Sequence, residues 1–326
     1  MNNKLKRLNN DLVKTLMILF TVIMIIAIAD ADFKYLNLGS TINYSNNWDK
    51  HIDKENNTLI LNKDITRDML GKALVFYTSA SFVRAYIGDR QIYDFGKKSE
   101  ICKSPGSLWQ VIEIRNNDRY IGMRLSIHIK TVYNYMFKDD YRIEIGTSGA
   151  IMKTKIKSEL IELIINVFLL LFGVLMCIIY ALEKKNGINI RSNMYLGIAS
   201  IAAVFWSNCA LFTFQLVLPA GVLQYYLYYI SFMLMPMALL KYFDNLNPRI
   251  DIKVEHFIYI MMCYTLTILQ ITGLKEFTET LTFYLVITTI ILICILIKMF
   301  KNPIGNKHKL ISIAFSIMLC CIIVNS

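Results

Sequence analysis

Apolar residues in this chain gather into seven blocks, at 15–31, 159–182, 194–215, 222–240, 256–273, 281–297 and 310–324. A hydrocarbon core of about 30 Å is crossed by roughly 20 apolar residues in helical form, because a backbone in lipid must satisfy its own polar groups. Each block is read as a membrane helix. Between the first and second the rhythm changes. Ile121, Met123, Leu125, Ile127 and Ile129 alternate with Tyr120, Gly122, Arg124, Ser126 and His128, which predicts a strand with one buried and one wet face. Runs at 59–61, 73–78, 82–88, 91–95, 108–114 and 141–145 are rich in β-branched and aromatic residues and end in turn formers, so they too read as strands. Gly88-Asp89-Arg90 predicts a tight hairpin and Ser104-Pro105-Gly106-Ser107 a turn. Short strands in this number predict an antiparallel two-layer sandwich.

The expected fold class is therefore mixed: an all-β sandwich at 32–157 followed by an α-helical transmembrane bundle at 158–326. A basic tail (1–14) and a signal anchor or signal peptide (15–31) precede them; Ala27-Ile28-Ala29 resembles a small-residue cleavage site.

Charge orients this layout. The net charge of +11 could suggest nucleic acid, but Lys and Arg collect at the ends of apolar blocks, so no nucleic-acid partner is expected and the bilayer is. The tail carries Lys4, Lys6, Arg7 and Lys14, which keeps the N-terminus in the cytoplasm and puts 32–157 outside the cell. The 183–193, 241–255 and 298–309 loops are basic and fall inside, whereas the loops around 218–221 and 274–280 hold Lys275 as their one basic residue. A multi-pass protein of the cell membrane follows.

Of seven cysteines only Cys102 lies in the exported part, so that domain cannot hold an internal disulfide. Cys177, Cys209, Cys263, Cys294, Cys320 and Cys321 sit in apolar blocks without metal-ligand spacing and read as packing residues; no metal is expected.

Trp109, Arg84, Tyr86, Tyr93, Arg124 and His128 offer stacking surfaces and donors suited to a sugar or a small anion, and are the candidate ligand contacts of the sandwich. The same residues fit core aromatics and a solvated strand face. Trp48 is a candidate to pack on the membrane surface. Asn43-Tyr44-Ser45 and Asn56-Asn57-Thr58 match a glycosylation pattern too short to carry a role.

No metal-protease helix, phosphate loop or nucleophile elbow occurs, and the four histidines lack ligand spacing, so neither an active site nor a cofactor is expected. No ionisable residue is expected at mid-membrane depth, which argues against a pump. Asn166, Ser207, Asn208, Gln215, Gln270, Thr288 and Thr289 are read as interhelical hydrogen-bond formers. Pro236 is a hinge candidate, because it removes a backbone donor inside a helix. Tyr225, Tyr226, Tyr228 and Tyr229 are read as an interfacial aromatic belt.

Val83-Arg84-Ala85-Tyr86-Ile87-Gly88-Asp89-Arg90-Gln91-Ile92-Tyr93, Lys103-Ser104-Pro105-Gly106-Ser107-Leu108-Trp109, and the stretch from Asn193-Met194-Tyr195-Leu196-Gly197 through Trp206 to Pro236 resemble the bacterial seven-helix receptors with diverse intracellular signalling modules. The likeness is strongest to clostridial-type members that carry a diguanylate cyclase output. The resemblance implies a jelly-roll-like exported sensor, a helical bundle and a cytoplasmic domain in which a Gly-Gly-Asp-Glu-Phe loop makes cyclic di-GMP. That loop is not in this sequence, so no cyclase activity passes to any residue here, and a truncated sensor portion of a longer receptor is expected. The expected function is a signal-input module that senses a small, for example carbohydrate, ligand outside, with a second copy of the chain as a candidate partner. A membrane transport component with a substrate-capturing exterior domain and an assembly protein are the rival readings.

Overall fold

The computed structural model describes residues 41–46, 48–96, 102–187, 190–246 and 251–301. The expected apolar blocks at 15–31 and 310–324, the basic tail, Cys320 and Cys321 lie outside the described residues. Among the described residues nine strands come first: β1 (Ile42–Asn43), β2 (Asp49–Asp53), β3 (Thr58–Asp64), β4 (Ala73–Thr78), β5 (Ser81–Ile87), β6 (Arg90–Phe95), β7 (Leu108–Glu113), β8 (Arg124–Thr131) and β9 (Glu144–Gly146). Six helices follow: α1 (Ser148–Lys185), α2 (Arg191–Asn208), α3 (Phe212–Val217), α4 (Gly221–Leu246), α5 (Lys253–Ile271) and α6 (Phe277–Lys301). They form two compact units. The first holds the strands, α1 as far as Phe168 and residues 207–225; the second holds α1 from Leu169, α2 to Trp206 and the chain from Tyr226 onward.

In the first unit all strand pairs are antiparallel, in a four-stranded sheet of order β1-β9-β4-β7 and a five-stranded sheet of order β2-β3-β8-β5-β6. Leu59, Leu61, Val83, Ala85, Leu125, Ile127 and Ile129 of the larger sheet share a core with Leu74, Phe76, Ile112 and Ile145 of the smaller. β4 is apolar without alternation because both its faces are covered: Leu74 and Phe76 enter that core, while Ala73 and Val75 join Ile151 and Phe212 in a second cluster. β2, Asp-Lys-His-Ile-Asp, was not legible as a strand, since as a polar edge strand it has almost no buried side chain to mark its period.

Two expectations change here. The alternation from Tyr120 does not begin a strand: 118–120 is a 3-10 turn, Gly122 takes φ +78°, and Ile121 and Met123 are exposed, so the strand starts at Arg124. A left-handed residue breaks the two-residue period, and glycine adopts that conformation without strain. Trp48 does not face the membrane; it is buried in the core, and its indole N–H donates to the Tyr44 carbonyl at 2.7 Å.

α1 starts well before the apolar block at 159–182. The Thr147 hydroxyl accepts from the Ala150 amide at 3.2 Å, capping the helix as it leaves β9. Its 38 residues span roughly 57 Å, nearly twice the hydrocarbon thickness. α1, α4, α5 and α6 are long and apolar enough to cross a membrane. α2 is not among them, because Arg191, Ser192, Asn193, Ser207 and Asn208 occupy its two ends. The single helix expected at 194–215 is instead α2, a turn at 209–211, and the short α3.

In the second unit α1 and α2 cross at glycines: a Cβ on Gly197 would lie 2.7 Å from both the Gly173 carbonyl oxygen and the Cys177 sulfur. The tyrosines of α4 do not form a simple lipid-facing belt. Tyr229 is buried, stacks on Phe277 at 5.3 Å and donates to Thr278 Oγ1 at 3.2 Å, while Tyr228 and Trp206 pack around Phe232. Gln270 holds the α5–α6 connection, its Oε1 accepting from the Phe277 amide at 2.8 Å.

Pro236 lies inside α4 and cannot donate to the Phe232 carbonyl one turn before it. A buried tyrosine from one neighbouring helix replaces the missing donor, and a second tyrosine bonds the next carbonyl. Tyr284 of α6 donates to the Phe232 carbonyl at 3.1 Å, and Tyr259 of α5 donates to the Met233 carbonyl at 2.8 Å. The two hydroxyls are also 2.6 Å apart, so two protons serve three contacts. Tyr284→Phe is expected to destabilise the protein by about 1 kcal/mol, and by less in a Pro236→Ala background, where the new amide N–H reaches Phe232 unaided. Thermal unfolding of the four proteins of this cycle in lipid nanodiscs checks it.

Candidate functional site

Arg84 and Tyr86 on β5 and Arg124 and His128 on β8 share the outer face of the five-stranded sheet, because β5 and β8 are neighbours in register and turn alternate residues outward. Arg84 stands opposite His128, and the Tyr86 ring lies 5.2 Å from the imidazole. Ser126, between them, donates to Asn62 Oδ1 at 2.6 Å. Having used its proton there, Ser126 is placed to accept from Nε2–H of His128 at 3.2 Å. The imidazole is held below its usual range, first by burial and second by the positive charge of Arg84. Both arginines already have acids: Arg84 Nε reaches Asp94 at 3.3 Å and Arg124 reaches Asp49 at 2.5 Å. On this exposed face such pairs contribute at most about 1 kcal/mol each.

Trp109 is not brought together with those four. It sits on β7 in the other sheet, its ring packed edge-on to Tyr77 at 5.5 Å and to Phe212 at 6.2 Å. Lys155 Nζ lies 3.8 Å from the indole centroid and 3.4 Å from both carboxylate oxygens of Glu144 on β9. The Trp109 backbone amide donates to Gln215 Oε1 at 2.8 Å. Gln215 thus serves the sandwich rather than pairing membrane helices.

Sequence reasoning missed what surrounds Trp109. Lys155, Glu159, Glu162 and Asn166 recur at i, i+4, i+7 and i+11 and form one stripe along α1. Glu159 is buried; its carboxylate accepts from the Phe212 amide (2.6 Å), the Thr213 amide (3.0 Å) and the Thr213 hydroxyl (2.9 Å), capping α3. Ser207 donates to Glu162 at 2.8 Å, and Asn166 donates to Ser207 Oγ at 3.0 Å and Asn208 Oδ1 at 2.9 Å. Helical spacing was the available signal, yet the charges read as the end of the soluble region. Pro236, the hinge candidate, belongs to the second unit and its tyrosine pair.

Among the described residues no group of three or more His, Cys, Asp or Glu side chains could hold a metal ion. No protein-family model, curated protein or solved structure matches this chain.

Lys155 and Glu144 are both buried, and removing Lys155 leaves the Glu144 charge with the exposed Arg142 guanidinium, 3.4 Å away, in place of a buried partner. Lys155→Met is expected to cost about 3 kcal/mol, and the double change Lys155→Met with Glu144→Gln to cost less than the single one, read by thermal unfolding. His128 supplies a pH test. With the folded-state value depressed, its contribution to stability is fully present above the unfolded value of about 6.5 and is lost as pH falls from there through the folded value. His128→Gln is expected to flatten that part of the acid limb in melts taken between about pH 7.5 and about pH 5.

Proposed function

We propose that this chain is the input part of a membrane signal receptor, akin to the seven-helix receptors it resembles. In this reading the two-sheet domain is a jelly-roll-like sensor outside the cell, the N-terminal tail lies in the cytoplasm, and the output belongs to a further domain. The observation that carries it is the stripe on α1. Lys155 bonds the β9 carboxylate and covers the Trp109 ring, Glu159 and Glu162 hold 207–213, and the same helix runs unbroken to Lys185. A helix is stiff along its axis, so a shift of β7 or β9 acts on α1 directly. To signal, the ligand must bind one arrangement more tightly than the other.

Transport is the rival, and solute uptake by sealed proteoliposomes would favour it. The coupling itself is tested by hydrogen exchange on the full chain in nanodiscs. Glu159→Gln is expected to speed exchange at 207–217 and also at 177–185, beyond the point where α1 leaves the sandwich. A change confined to 207–217 would contradict transmission along the helix.

A further inference from the structure

A cleft opens at one side of the sandwich where β6 and β7, the edge strands of the two different sheets, face each other. Its upper end is closed by a bond between the sheets: the Tyr93 hydroxyl of β6 donates to Gln110 Oε1 of β7 at 2.7 Å, and Gln110 Nε2 donates to Thr78 Oγ1 at 2.9 Å. The same phenol bonds the Val111 backbone amide, and Gln215 takes the Trp109 amide. These side chains occupy two successive outward amides of the β7 edge. By the two-residue alternation of a strand, the Glu113 amide is the next one turned outward, toward the cleft.

The opening below holds about 320 Å³ and is lined by Arg90, Gln91, Glu113, Arg115 and Tyr120 with apolar neighbours. Ligand pockets run from about 300 to 1,000 Å³, so this volume suits a metabolite and is too small for an oligosaccharide or a peptide. Its arginines differ from those of the open sheet face. Arg84, Arg124 and Arg142 have carboxylate partners, whereas among the described residues Arg90 and Arg115 make no ion pair. A guanidinium fork matches a carboxylate in both geometry and charge. Burial pushes the Tyr93 phenol up to about 12, so it adds no negative charge near neutral pH. Glu113, the one acid of the lining, is placed to accept from a hydroxyl or an ammonium group.

We infer that the β6–β7 cleft binds a small carboxylate that also carries a hydrogen-bond donor, an amino acid or a hydroxy acid, through Arg90, Arg115 and Glu113. This rests on the reading of the sandwich as the ligand-taking part of the receptor. It moves the ligand from the open face to an edge whose occupation would bear on β7, the strand that carries Trp109.

The test is calorimetric titration of the full chain in nanodiscs with L-leucine, L-malate, D-glucose and inorganic phosphate. Leucine or malate is expected to bind with a Kd below about 1 mM, weakened at least about tenfold by Arg90→Gln and by Arg115→Gln and unchanged by Arg84→Gln. Arg115→Lys is expected to restore part of the loss. Glu113→Gln is expected to weaken the bound probe as well. Both arginines are exposed, so melting curves of the variants should match the parent and exclude misfolding. The proposal is overturned if neither carboxylate binds, if binding survives both arginine changes, or if only glucose or only phosphate binds. Carboxylate binding without any change of exchange at 177–185 would uphold the site and overturn the receptor reading.

Discussion

The outer face of the four-stranded sheet is apolar, and water is no place for it. Ala73 and Val75 of β4, with Trp109 and Val111 of β7, form a surface that folding must hide, and α1 and α3 supply the cover through Ile151 and Phe212. Once those elements lie there, their polar groups lose water and need partners. Lys155 finds Glu144, and Glu159 finds two amides and a hydroxyl of the α3 start. The hydrophobic requirement thus comes first, and the charged stripe on α1 is its consequence. The opposite sheet has no such need: its outer face carries Arg84, His128 and Arg124 and stays wet.

The second unit meets a comparable constraint in apolar surroundings. A proline in α4 leaves a carbonyl without its helical donor, and lipid offers no replacement. Tyr284 supplies a hydroxyl to it and Tyr259 bonds the next carbonyl, so the α4 backbone is held by α5 and α6 at one level. Movement at Pro236 would involve all three helices together, which limits any hinge there to motions that keep both tyrosines in reach.

Much of this was legible in the chain where one physical signal dominates. Leu125, Ile127 and Ile129 show the two-residue period because one side of β8 is buried and the other is not, and 73–78 was read as a strand with its observed bounds. The same rule failed at Ile121 and Met123, since alternation persists through a turn that only Gly122 betrays. The polar edge strand β2 carries no such signal at all. For the site, Arg84, Tyr86, Arg124 and His128 share a face as their strand positions suggest, but that Trp109 belongs elsewhere depends on which sheet β7 joins. Topology of that kind is set by pairings between distant segments, and the partners of Glu159 lie more than fifty residues away.

The cover over β4 and β7 has a practical side as well. It is assembled from two stretches, 148–168 and 207–225, that are separated in sequence by residues of the second unit. A clean excision of the sandwich at Lys157 would discard Phe212 and Gln215, baring the indole of Trp109 to solvent and leaving the backbone amide of the same residue without its side-chain acceptor. Anyone wishing to handle the two-sheet domain as a free-standing soluble protein would have to redesign that surface, replacing Trp109 and Val111 with polar residues, or graft a substitute lid.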